Sequence, residues 1–226
     1  MVTEEKARSL PITAPVVTVS RHRILCDGQG VRSLVVFHGC PLRCKWCINP
    51  FSFDPNARRT LMTAEELYDQ VKVDELYYLA TGGGVTFGGG EPLLYSDFLR
   101  EFRALCGPEW HLCAETSLAI SPEAVAVAAS VIDLFFVDCK DLSPEIYQRY
   151  TGQRNDLMKD NLKRLLSLVS PERIVVRLPL IPDYNTEEDR QKSRALLSEM
   201  GITQIDLFSY IKRPKTRGIT RRIAKE

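Results

Sequence analysis

An open, partial (β/α)6 TIM-like barrel of the α/β class, in a single domain, is predicted by three observations. First, 226 residues suit one sizeable α/β domain better than two. Second, six short apolar, β-branched runs alternate with helical patterns, which demands parallel pairing through right-handed crossovers. Third, each polar or cysteine-bearing cluster follows directly after one of those runs, at the carboxyl end of a strand, where barrel loops build active sites. A doubly wound sheet would place the site similarly, at a switch point of strand order.

The elements follow in order. Residues 1–19 read as a polar leader, residues 20–210 as the barrel and residues 211–226 as a basic tail. VRSLVVFHG (31–39) is a buried strand ending at a Gly-Cys-Pro turn. Thr63 with Glu66 three residues on is a capping-box signature for a helix from Ala64 toward Leu79. GVTF is the second strand, followed by a helix near 96–106, the strand WHLCAET, a helix over 122–130 and the strand VIDLFFVD. Helices around 144–170, the strand RIVVRLP, a helix over 186–200 and the strand TQIDLFS complete the alternation.

Composition narrows the class. With 44% hydrophobic and 26% charged residues, the chain is globular and neither disordered nor collagen-like. Thirty Lys+Arg against 29 Asp+Glu leave a net charge of +1, so no overall field draws nucleic acid or an anionic membrane. The N-terminal MVTEEKARSLPITAP lacks the apolar core of a signal peptide. The longest apolar stretch, 124–132, falls well short of the roughly 18 residues of a membrane span. Of the seven cysteines, three crowd into eight positions while Cys26, Cys106, Cys113 and Cys139 are scattered. That pattern indicates a reduced cytoplasmic protein with one metal site and no disulfide framework.

GCPLRCKWC places thiols at Cys40, Cys44 and Cys47 on the loop leaving the first strand. Three soft ligands in one loop can grip one face of an iron–sulfur cubane, leaving a fourth iron open to an external ligand. Arg43 and Lys45 offset thiolate charge, and Trp46 can shield the site from water. The alternative is a structural zinc site with His38 as fourth ligand.

TGGGVTFGGGEP (81–92) brackets a short strand with glycine triplets, which let backbone approach a ligand closely. A phosphate loop would need lysine where Gly90 stands, and Glu91 follows with a carboxylate, so a nucleoside triphosphate is disfavoured. Backbone carbonyls beside a carboxylate suit an ammonium group. Arg177 in RIVVRLP is either a cofactor-side cation or a rim salt bridge, and the tail, with seven Lys+Arg and one acid, is either a solvated terminus or a surface for an acidic protein patch.

Taken together, these residues resemble the radical S-adenosylmethionine superfamily, whose C-x3-C-x2-C loop binds a [4Fe-4S] cluster and whose GGE motif holds the cofactor's amino group. The resemblance extends to the glycyl radical enzyme activating enzymes, and most to the compact members that activate pyruvate formate-lyase. DGQGVR (27–32) is similar to their DGPGIR, VTFGGGEP to VTFSGGEP, CINP to CHNP and VDCK to their Asp-x-Lys strand end. The matches run from about residue 20 to residue 181.

The resemblance implies specific roles. The iron ligands fall on Cys40, Cys44 and Cys47, and Trp46 matches the position whose backbone contacts adenine. Gly89, Gly90 and Glu91 match the amino-group motif, and Lys140 the lysine that meets the cofactor carboxylate. Glu115 and Asp138, with Thr116 and Cys139 beside them as backbone oxygen donors, match a monovalent-cation site for K+ or Na+; two adjacent strand-end carboxylates repel unless a hard cation or a lysine sits between them. Asp27 matches a contact to the substrate peptide.

The departures are Gln29 for the motif proline, Gly88 for serine, Ile48 for histidine, Glu115 for aspartate, and Ile211 where a histidine follows the tyrosine. No cysteine lies between Cys47 and Gly82, so one cluster is expected where many relatives insert a ferredoxin-like domain.

The implied activity is reductive cleavage of S-adenosylmethionine and abstraction of hydrogen from a glycine of a partner glycyl radical enzyme. A flavodoxin or ferredoxin-type reductant, an anaerobic cytoplasmic setting and a monomer are expected. The rival is a radical enzyme acting on a small molecule, as the 7-carboxy-7-deazaguanine synthases do.

Overall fold

The computed structural model describes residues 11–24 and 26–210. Its frame is one eight-stranded sheet. Strands β1 (Thr13–Ile24), β2 (Val31–Phe37), β3 (Thr60–Thr63), β4 (Gly84–Gly89), β5 (His111–Thr116), β6 (Leu134–Asp138), β7 (Ile174–Leu180) and β8 (Gln204–Ser209) lie in the order β3-β1-β2-β4-β5-β6-β7-β8.

From β2 to β8 six strands run parallel, each beside the next in sequence. That order never reverses, so there is no switch point, and the doubly wound alternative falls away. Right-handed crossovers that always step the same way keep every crossover helix on one face and curl the sheet toward a barrel. The two ends, β3 and β8, do not pair, and the barrel stays open.

The six parallel strands are those read from the sequence; two antiparallel strands were not. β1 pairs with β2 on one side and β3 on the other, so the leader drawn over residues 1–19 is strand from Thr13 onward. Burial along β1 is confined to Ala14 and Val16, because the strand lies near the sheet's edge and the rest of it is partly or fully exposed. Its sequence therefore lacks the dense apolar signal of the buried strands. The tail over 211–226, and Ile211 with it, lies outside the described residues.

Among the described residues, seven helices connect the strands: α1 (Ala64–Val71), α2 (Glu75–Thr81), α3 (Ser96–Cys106), α4 (Pro122–Ala129), α5 (Pro144–Thr151), α6 (Asp156–Leu168) and α7 (Glu187–Glu199). The expected capping box opens α1, with Thr63 accepting from the Glu66 amide and Glu66 reaching back. The helix read toward Leu79 is broken by a 3-10 turn at Lys72–Asp74, where the buried Asp74 carboxylate ties down Arg21 of β1 with two bonds of 2.5 Å. The helical stretch around 144–170 is likewise two helices, because Gly152 at φ 80° ends α5 in the left-handed conformation. No helix among the described residues is long and apolar enough to cross a membrane.

The core between β2, β4 and their helices is aromatic. Phe37 stacks 6.0 Å from Phe87, Phe87 meets Phe102 edge-on at 5.4 Å, and Tyr78 meets Trp110 at 4.9 Å. At the amino ends of the strands the DGQGVR loop is held by Arg32, a buried guanidinium. It donates to the Val85 carbonyl at 2.9 Å, the His111 carbonyl at 2.6 Å and the Thr86 hydroxyl at 2.7 Å. Gly30, at φ 69°, has no room for a Cβ, which would fall 2.6 Å from the Gly83 nitrogen. The motif residues Gly30 and Arg32 thus seat the loop against β4 and β5. Arg32→Met should preserve packing volume but strand these acceptors, lowering stability by about 3 kcal/mol in urea unfolding with an unchanged slope.

Candidate active site

The interior of the open barrel is a cleft of about 590 Å³ that runs from the cysteine loop at the carboxyl ends of the parallel strands to Asp27 before β2, within the range that encloses a cofactor. The cysteine loop forms one wall, and Cys40, Cys44, Trp46 and Cys47 all line it. The loop is shaped by backbone bonds from outside itself. The carbonyls of Thr151 and Tyr150, at the end of α5 where helical partners run out, accept from the amides of Arg43 at 2.8 Å and Lys45 at 3.1 Å. Asn49, from CINP, donates to the Gly89 carbonyl at 3.2 Å and so ties the cysteine loop to the glycine run.

Burial pushes the Cys40 thiol up to about 12, with the Glu91 carboxylate adding to the effect, and burial raises Cys44 as well. Thiols so placed ionise only when a metal cation takes the proton's position. His38, the candidate fourth zinc ligand, is instead bonded to the Asp54 carbonyl at 2.8 Å. Among the described residues no three His, Cys, Asp or Glu side chains converge closely enough for a single ion. Three thiols spread along one wall suit a cluster in which each thiolate takes a different metal atom.

Gly89 and Gly90 line the cleft beside the cysteine loop. A Cβ on Gly90 would lie 2.1 Å from the Gly39 carbonyl oxygen, immediately before Cys40. The Gly90 amide donates to Phe37 at 3.0 Å and the Glu91 amide to Gly39 at 2.7 Å. Glu91 itself departs from the expectation. Its carboxylate is buried away from the cleft, accepting from the Thr116 hydroxyl at 2.7 Å, the Ser117 amide at 2.8 Å, the Ser117 hydroxyl at 2.6 Å and the Leu93 amide at 3.2 Å. Such a fully bonded carboxylate positions the loop after β5 and has no free lone pair aimed at an ammonium group.

A row of charges crosses neighbouring strands: Glu115 on β5, Asp138 on β6, Arg177 on β7 and Asp206 on β8, all lining the cleft. Arg177 reaches back over the Phe136 ring, 4.3 Å from its centroid, to Glu115 at 2.6 Å. Asp138 pairs with Lys140 Nζ at 3.0 Å. Burial is the largest single influence on Lys140 and works against its charge, but Asp138, Tyr210, Cys44 and Tyr150 together outweigh it and hold the ammonium well above the ordinary lysine range.

Of the two ways to relieve repulsion between Glu115 and Asp138, a hard cation or a basic side chain, the structure shows the second. Glu115 and Asp138 do not need an added ion to relieve repulsion, since Arg177 and Lys140 neutralise them. The Thr116 hydroxyl is committed to Glu91 and Cys139 is buried outside the cleft lining, so only the backbone oxygens of these two residues, the donors expected of them, stand free of those contacts. Arg177 is at once a cleft-facing cation and a salt-bridge partner. Asp27 reaches the cleft from the DGQGVR loop, paired with Arg23 and with its carbonyl accepting from Thr86 at 2.7 Å. The sequence reading overlooked Asp206, Tyr150 and Tyr210 as cleft residues; alternation along QIDLFS was the one available signal for Asp206.

An open parallel barrel with three clustered thiols on the loop after its first parallel strand defines a class of cofactor-dependent, iron–sulfur enzymes. The chain belongs to the Radical SAM superfamily, which matches residues 34–196.

Its relatives are activating enzymes. The (2S)-3-sulfopropanediol dehydratase activating enzyme of Klebsiella oxytoca is 29% identical over 252 positions, covering 82% of this chain and 78% of the relative. The choline trimethylamine-lyase activating enzyme of Oleidesulfovibrio alaskensis is 29% identical, covering 72% and 71%. The 4-hydroxyphenylacetate decarboxylase activating enzyme of Clostridium scatologenes is 27% identical, covering 84% and 81%. Alignments over 252 and 255 positions exceed this chain's 226 residues, so those relatives carry residues within the matched region that this chain lacks.

Among solved structures, Streptococcus suis SuiB bound to S-adenosylmethionine matches with a TM-score of 0.60 at 16% identity, over 80% of this chain and 43% of that one. Native anSMEcpe with bound AdoMet and Cp18Cys peptide matches at 0.57 and 17%, over 79% and 51%. This chain thus spans about half or less of those structures, and the likeness is one of fold.

Proposed function

We propose that this chain activates a glycyl radical enzyme, taking a hydrogen atom from a glycine Cα of that partner. The observation that carries the reading is the meeting of Cys40, Cys44 and Cys47 with Gly89, Gly90 and Lys140 around one cleft; the activating-enzyme relatives favour it over the small-molecule alternative. When bound there, a [4Fe-4S] cluster and S-adenosylmethionine supply one-electron cleavage of the sulfonium and a 5′-deoxyadenosyl radical.

The chain's own residues do the holding and the sheltering. Cys40, Cys44 and Cys47 ligate iron. The backbone carbonyls of the Gly89–Gly90 turn receive the cofactor's ammonium group in place of the Glu91 side chain. Lys140 faces its carboxylate, with Arg177 as a second cation on the same rim. Trp46 covers the adenine side and restricts water. Asp27, held by Arg23, meets the peptide that enters through the open side of the barrel. One cluster suffices for a chain whose cysteines outside the loop stand apart, and a flavodoxin or ferredoxin-type protein delivers the electron in an anaerobic cytoplasm to a monomer.

The target glycine has to come within roughly 3–4 Å of the 5′ carbon for hydrogen transfer to compete. Reduced protein loaded with cluster and S-adenosylmethionine should therefore produce a glycine-centred doublet in electron paramagnetic resonance spectra of a cognate partner. Deoxyadenosine release with a small heterocycle, and no doublet with any candidate protein, would transfer the assignment to the small-molecule class.

A further inference from the structure

The segment that carries the three thiols also gathers positive charge. Between Cys40 and Arg59 stand four Lys or Arg residues and one acid, in a chain whose net charge is +1. The segment folds back on itself. The Gly39 amide donates to the Ser52 carbonyl at 2.7 Å, His38 Nε2 lies 2.8 Å from the Asp54 carbonyl, and the Arg43 guanidinium lies 5.0 Å from the Phe53 ring centroid. Arg59 stands within electrostatic reach of Tyr95, whose hydroxyl donates to the His38 carbonyl at 2.7 Å. The fold thus keeps these cations around the thiols.

Their charge is not cancelled by neighbouring acids. Arg43 donates to the carbonyls of Cys40 and Leu42, and Arg59 to those of Pro55 and Ala57. Lys45 and Arg58 are exposed, and among the described residues none of the four pairs with a carboxylate. Elsewhere on the surface cations stand beside acids, as Lys72 does by Asp69, Arg100 by Asp97 and Lys192 by Glu188. Within the same segment Ile48, directly after Cys47, is 86% exposed, the most exposed large hydrophobic side chain among the described residues. An apolar centre with a charged rim is the anatomy of a protein interface.

The chemistry of the loop says which partner. A reductant has to bring its redox group close to the thiols, because electron transfer falls steeply with distance, and Lys45 and Ile48 are the chain neighbours of Cys44 and Cys47. A cationic face recruits an anionic protein, speeds the encounter and lets go as salt rises. Electron-transfer complexes are small and transient, so one apolar residue and a few charges suffice.

We propose that the face formed by Arg43, Lys45, Ile48 and the Arg58–Arg59 pair docks an acidic one-electron carrier protein. One electron passes from the carrier to the cluster, and no atom is exchanged. The inference rests on the reading of the cleft as an iron–sulfur site and names where its reductant binds.

The test titrates cluster-loaded wild-type, Lys45→Glu, Ile48→Ser and Lys163→Glu proteins, without oxygen, with an acidic flavodoxin and an acidic ferredoxin. Lys163, exposed on α6 and outside the cleft lining, gives the same change in net charge at a different place. The wild type should bind at least one carrier, and more weakly as salt rises past ~0.1 M. Lys45→Glu and Ile48→Ser should each bind it about fivefold more weakly at unchanged iron content, while Lys163→Glu binds as the wild type does. Wild-type affinity in either loop variant, an equal loss in Lys163→Glu, or iron-loaded wild type that binds neither carrier overturns the docking alone. A loss of affinity for a glycyl radical enzyme with none for the carriers also overturns it and assigns the face to that partner. A wild type that holds no iron and sulfide overturns the reading of the cleft as well.

Discussion

Cys44→Ala protein, reconstituted without oxygen, should retain less than about one iron per chain where the wild type holds about four irons and four sulfides, and should release no detectable 5′-deoxyadenosine. Two thiolates cannot fix three irons, and no His, Cys, Asp or Glu cluster among the described residues offers a replacement. Cys44 packs only at the margin of the hydrophobic core, so the variant's far-ultraviolet circular dichroism and melting temperature without metal should stay close to those of the wild type. Iron analysis and that melting curve separate loss of the metal from loss of the fold. Stoichiometric zinc in the wild type would overturn the iron–sulfur assignment.

Gly90→Ala should be as damaging by a different route. The added methyl group would sit 2.1 Å from a backbone oxygen of Gly39, and backbone cannot swing aside as a long side chain can. Gly39 and Gly90 are also stitched by the bonds from the Gly90 and Glu91 amides to the Phe37 and Gly39 carbonyls. Relief of the clash therefore moves the start of the cysteine loop. A stability loss of about 3 kcal/mol in urea unfolding, together with reduced iron content, is expected. Normal iron loading in a stable Gly90→Ala protein would show that the loop and the glycine run move independently.

The parallel strands and the cysteine loop were legible because each carries a dense local signal: β-branched apolar runs such as Val31 to Phe37, and three thiols within eight positions. β1 was not legible, since it buries only Ala14 and Val16 and contains Pro15 and the polar run SRHR. Four-residue β3 was masked by its role as the lead-in to α1, for which Thr63 was read correctly as the cap. At the site, sequence placed Glu91 and Lys140 near the cofactor but not which way each carboxylate or ammonium faces. That orientation depends on partners 25 residues away, such as Thr116 for Glu91, and on pairs such as Arg177 with Glu115, 62 residues apart. Tyr150 was invisible for a similar reason: within α5 it reads as an ordinary core aromatic.

The anchoring of the cysteine loop by the last carbonyls of α5 has a consequence for the protein's life cycle. A small zinc domain collapses when its metal leaves, because the metal is its core. Here the loop's amides are fixed by a neighbouring helix and by the Asn49 bridge, over a core of packed aromatic side chains that owes nothing to metal. Loss of the iron should therefore leave the chain folded and the backbone of the cysteine loop anchored. Rebuilding the cluster then requires iron, sulfide and reductant, with no resynthesis or refolding of the chain.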